Sequence, residues 1–106
     1  MDESKMMELA QQLLDSARTG KLAWEEGTSR YSYIVNFQDI ALVIVERSVG
    51  VHHLELINGD GDGIESLRPK NIATEEILQE IYDIARRQAL DIDGNINKAL
   101  EYLKRG

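Results

Sequence analysis

His52 and His53 are the only histidines in the chain, and there is no cysteine. They are therefore the strongest candidates for a metal ligand or a general base. As neighbours on an extended segment they point to opposite faces, so they cannot grip one ion together. His53 shares a face with Glu55, a pair that could hold a cation or move a proton. The sequence shows no third ligand beside them, and an ordinary place on a strand surface accounts for the same spacing.

Asn58, Asp60 and Asp62 fall at positions one, three and five of a calcium loop, with Gly63 at position six. Position twelve, which should be a bidentate Glu, is Pro69, and the flanks read as strands rather than helices. The segment reads as a glycine-rich turn with solvated carboxylates, and weak calcium binding is the sharper alternative. Its aspartates would repel phosphate, and the glycines follow neither the dinucleotide nor the phosphate-loop spacing. No nucleophile elbow is present. The carboxylate pairs Glu25/Glu26, Glu75/Glu76 and Asp91/Asp93 read as a strand end, a helix first turn and a helix cap. Arg86-Arg87 could meet an anion, but Asp83 is spaced to pair with them along a solvated helix face, at about 0.2 to 0.5 kcal/mol per pair. The expectation is a protein that is not an enzyme, with no catalytic, metal or cofactor residues.

The elements that must position these groups follow from periodicity. Met6, Leu9, Ala10, Leu13, Leu14 and Ala17 trace one helical stripe, which ends near Arg18 before Thr19-Gly20. The period then drops to two. Lys21 to Glu25 carries the only tryptophan, Trp24, and Tyr31, Tyr33, Val35 and Phe37 alternate along a half-buried strand. Ile40 to Val45 is apolar on both faces, so it should be a central strand. His52 to Ile57 and a short edge piece, Ile64 to Leu67, follow across turns too short for parallel crossovers. Thr74 reads as the N-cap of a second helix bearing Ile77, Leu78, Ile81, Ile84 and Ala85. Asp91 or Asp93 can cap a third helix with Ile96, Ala99, Leu100 and Leu103. The expected fold is α+β: an N-terminal helix, a three- to four-stranded antiparallel meander and two C-terminal helices packed on the sheet.

The 106 residues make a single domain, 1–106, with 42% apolar content and a net charge of −7. That charge argues against nucleic acid, and without a polybasic patch against a membrane surface. The longest apolar run, Ile40 to Val45, is far short of a bilayer span, and Asp2, Glu3, Ser4 and Lys5 do not open a secretory signal. A cytoplasmic location is expected. The charge is spread along the chain, with no detachable acidic tail.

Gly20-Lys21-Leu22-Ala23-Trp24-Glu25, Leu56-Ile57-Asn58-Gly59 and the stretch from Ile81 to Leu90 resemble small uncharacterised bacterial proteins that combine an amphipathic helix, a β meander and a helical end. The resemblance implies that architecture and no assigned activity.

Trp24, Tyr31, Tyr33, Phe37, Val43 and Val45 form the expected interaction surface, because three helices have too little area to cover both faces of such a sheet. The expected function is a non-enzymatic protein-interaction or self-associating module, its partner another protein or a second copy in a homodimer. A monomer in which the third helix and the Trp24 segment shield the second sheet face is the competing arrangement. An immunity-type or chaperone-like binder of a basic protein is the alternative function. A small-molecule binder using His53, Glu55 and Tyr33 is a further one. Because Pro69 stands where calcium needs its bidentate ligand, millimolar calcium should leave the melting temperature and the amide spectrum unchanged; a shift in either would establish a site in the Asn58 to Gly63 turn.

Overall fold

A computed structural model of the protein describes residues 3–106. The order of elements is α1 (Glu3–Arg18), β1 (Trp24–Glu26), β2 (Ser32–Asn36), β3 (Ile40–Ser48), β4 (Val51–Asn58), β5 (Gly63–Leu67), α2 (Ile72–Ala89) and α3 (Ile92–Arg105). The strands form one antiparallel meander in the spatial order β1-β2-β3-β4-β5. The α+β layout is the expected one, with five strands rather than three or four. Both short end pieces, Trp24–Glu26 and Gly63–Leu67, find ladder partners on β2 and β4.

Register stacks the apolar residues in rows across the sheet. Trp24, Val35, Leu42 and Leu56 pair in sequence across four strands, and Tyr33, Ile44, Leu54 and Leu67 do the same one step along. Paired residues share a face, so both rows point to the same side, and α1 and α2 lie across them. Ile44, Leu54, Leu78 and Ile81 are fully enclosed there. Each such side chain contributes about 1.5 to 3 kcal/mol through burial. Arg18 at the end of α1 makes a two-pronged ion pair with Glu80 of α2, at 2.6 and 2.8 Å. It is exposed, so it orients the helices more than it stabilises them.

Two helix starts differ from expectation. The N-cap of α2 is Asn71 rather than Thr74: the Asn71 side chain accepts hydrogen bonds from the Thr74 N–H at 2.9 Å and the Thr74 hydroxyl at 3.0 Å. Thr74 itself is buried within the first turn. At α3 the cap position is Asp91, but its side chain makes no capping bond; its backbone is left-handed, at φ 48°.

That left-handed residue places the last helix. The chain turns at Asp91 directly after the α2 cap Leu90, and the Asn95 side chain donates to the Leu90 and Asp91 carbonyls. Arg87 reaches Asp93 across the corner at 2.6 Å. Gly94 leaves room for the Asp91 carboxylate, which a Cβ at that position would push aside. α3 therefore packs beside α2 and not on the sheet, and it buries no side chain. Only α2 of the two C-terminal helices covers the strands. The radius of gyration, 15.3 Å, exceeds the about 13 Å of a compact chain this size, and the longest dimension is 58 Å.

Truncating the enclosed row should cost far more than truncating the exposed helix. Ile44→Ala or Leu54→Ala should lower stability by about 2 to 5 kcal/mol in urea unfolding. Leu103→Ala, at a site 77% exposed, should change it by less than about 0.5 kcal/mol at chain concentrations dilute enough to keep the chain monomeric.

Candidate functional site

The sheet has one face without a helix, formed by Ala41, Val43 and Val45 of β3 and their neighbours. Sequence alone suggests sticky apolar surface there, yet Val43 is 8% and Val45 3% exposed. Their own cross-strand partners cover them: Val43 lies between Ile34 and Glu55, and Val45 between Ser32 and His53. Arg47 and Glu55 form an ion pair along the same face. The loop after β1 and the Asn58–Asp62 turn lean over the strands, enclosing a cavity of about 280 Å³ lined by Ser32, Ile34, Val43, Glu55, Ile57 and Gly61. Its size is at the lower limit for a small-molecule site.

His53 and Glu55 do share this face, as β-strand alternation requires, but Glu55 is engaged by Arg47. The His53 pKa is lowered, chiefly by burial and then by the charges of Arg68 and Arg47. Among the described residues, no three His, Asp or Glu side chains gather to hold a metal ion.

The aromatic set divides. Trp24 and Tyr33, each 5% exposed, belong to the core under the helices and cannot form part of an interaction surface. The Trp24 backbone N–H donates to Gln88 at 2.8 Å, while its indole Nε1 is buried without a partner. Tyr31 leaves the strand with φ 61°, is 52% exposed, and has the Arg30 guanidinium 5.1 Å above its ring. Phe37 lies just past the end of β2 and is half exposed.

The polar cluster that sequence reading misses surrounds His52, which is 2% exposed on the helix-covered face. Its Nε2 lies 3.4 Å from Glu46, its ladder partner on β3, and its Nδ1 lies 3.1 Å from Glu75 in the first turn of α2. The ring packs against Tyr82 at 4.6 Å, and Tyr82 meets Tyr33 edge-on at 5.4 Å. Burial first, and the neighbouring Tyr33 second, push the Tyr82 phenol up to about 12. The signal for Glu46 was its place opposite His52 across the hairpin. Glu75 is distant in sequence, and only docking of α2 brings it there. The arrangement pins the start of α2 to the β3–β4 hairpin.

The exposed apolar surface lies elsewhere. On α3, Ile96 is 49%, Leu100 47% and Leu103 77% exposed. A second apolar feature is a groove of about 250 Å³ between α1 and the β2–β3 turn, lined chiefly by Leu9, Leu13, Leu22, Phe37, Ile40 and Leu42. Beside it the β2–β3 turn, with Asp39, abuts the Asn58–Asp62 turn, whose sequence carries Asp60 and Asp62, at one end of the sheet. No helix among the described residues is long and apolar enough to cross a membrane. No protein-family model, curated protein or solved structure matches this chain.

The lowered His53 pKa has a definite sign in stability. The unfolded chain takes up a proton near pH 6.5 more readily than the folded one, so stability is complete above that pH and falls as pH drops through the folded pKa. An NMR titration should place the His53 midpoint below 6.5, and His53→Gln should remove that part of the acid loss; a midpoint above 6.5 would contradict the packing described.

Proposed function

We propose that this chain is a non-enzymatic protein-interaction module that acts by self-association or by binding a protein partner. The observation that carries the reading is α3, an amphipathic helix whose apolar side chains meet solvent. A 14-residue helix is marginal by itself and is ordinarily stabilised by packing its apolar stripe. Ile96, Leu100 and Leu103 follow the i, i+4, i+7 spacing by which helices enter hydrophobic grooves. Lys98, Lys104 and Arg105 supply a polar flank and complement the helix dipole at its carboxyl end.

The absence of chemistry in this reading is supported by how the candidate groups are occupied. Glu55 pairs with Arg47, Glu80 with Arg18, and His52 with Glu46 and Glu75. Binding of a basic protein is the second reading, and Asp39, Asp60 and Asp62 at one end of the sheet favour it.

Light scattering on the full chain across a wide concentration range, together with retrieval of partners on the immobilised chain, tests the proposal. Association with itself or with a defined protein partner is the expected result. A strict monomer that retrieves no protein would overturn it. If the acidic end carries the contact, association should weaken steeply as salt rises; a salt-independent complex would assign the contact to apolar surface alone.

A further inference from the structure

We infer that the apolar stripe of α3 docks in the groove between α1 and the β2–β3 turn of a second copy, and that the exchange is reciprocal. This rests on the interaction reading above and names its surface and its partner. Within one chain, stripe and groove are both unfilled. The corner at Asp91 holds α3 beside α2, so its exposed Ile96, Leu100 and Leu103 do not reach the chain's own Phe37 and Ile40. The groove is lined almost wholly by apolar side chains, with Gln12 and Ser16 of α1 the polar exceptions. Phe37 and Ile40, 44% and 40% exposed, form its open edge.

Charge selects the same occupant. Residues 92–106 carry Lys98, Lys104 and Arg105 against Asp93 and Glu101, a net +1, so residues 1–91 carry −8 of the chain's −7. The groove edge at Phe37 and Ile40 adjoins Asp39, and the turn that meets Asp39 through Gly59 carries Asp60 and Asp62 in its sequence. No Lys or Arg lies between Tyr31 and Glu46 or between Ser48 and Leu67. The basic last turn of α3 is thus complementary to the acidic end of the groove, which the acidic body of the chain is not. The same numbers disfavour an anionic membrane surface, because a chain of net −7 is repelled from it.

Area selects the reciprocal form. One 14-residue helix laid on one groove is a small contact, whereas stable interfaces bury about 1,200 to 2,000 Å². Making the contact twice about a two-fold axis doubles the area and closes the assembly.

Sedimentation velocity on the full chain across a hundredfold concentration range tests this, with Leu100→Glu disabling the stripe and Phe37→Glu the groove. Both positions are about half exposed, so each variant should keep the wild-type circular dichroism. Leu103→Glu, at the most exposed position of the stripe, replaces Leu100→Glu if that variant is destabilised. The expected result is a wild-type dimer that each variant weakens at least tenfold. An equimolar mixture of the two variants should associate more tightly than either variant alone and more weakly than the wild type, because a mixed pair keeps one of the two stripe-in-groove contacts. A monomeric wild type would overturn the inference, and so would a dimer indifferent to either variant. Loss on Leu100→Glu with no loss on Phe37→Glu would assign α3–α3 pairing instead. A monomer that binds phosphatidylserine vesicles through Leu100 would assign a membrane surface. A monomer with a defined protein partner, or a dimer insensitive to both variants, defeats this inference while leaving the interaction reading in place; a monomer with neither partner nor dimer defeats both.

Discussion

Leu42, Ile44 and Leu54 are enclosed because α1 and α2 lie across one face of the sheet, and the rest of the molecule depends on that single apolar layer. In a chain of 106 residues the layer has little reserve. It absorbs Trp24 and Tyr33 from the strands and Leu78, Ile81 and Tyr82 from α2. Those aromatics are consequently unavailable to a partner. The layer also tolerates a buried indole Nε1 without a hydrogen bond, a cost of about 1 to 3 kcal/mol that the apolar burial around it offsets.

Polar groups settle where that layer ends. His52 lies at its margin, and the carboxylates of Glu46 and Glu75 meet its two ring nitrogens from different elements. The cluster joins hairpin and helix where apolar packing runs out. On the opposite face no second layer forms. Ile34, His53 and Glu55 lie across the β3 valines instead, so the side of the sheet without helices is finished by its own strands. This redirects the question of partners from the sheet to α3 and the groove beside Phe37.

Much of this was legible along the chain because helix and strand periods are local. The stripe from Met6 to Ala17, the two-faced strand Ile40 to Val45 and the helix from Ile77 to Ala85 each declare themselves within their own residues. The alternation that sends His52 and His53 to opposite faces is equally local. What alternation cannot say is which face receives the helices. Trp24 and Tyr33 therefore read as surface candidates when they are core, and His53 reads as the candidate base when His52 is the one met by two glutamates. Thr74 reads as the cap in place of Asn71 because it offers the same chemistry three residues later, inside the first turn.

The sequence by itself determined the α+β class, the antiparallel meander and the lack of any motif for nucleotide, phosphate or thiol chemistry, since each depends on residue type and short-range spacing. Only the tertiary structure decided which surfaces are covered and which are exposed. Glu75 meets His52 because α2 docks, Val43 and Val45 are covered because of strand register, and α3 stands clear because one residue, Asp91, takes a left-handed backbone. Helical periodicity is the same whether an apolar stripe is buried or exposed. The difference lies in the angle of a single corner, which residue spacing does not encode.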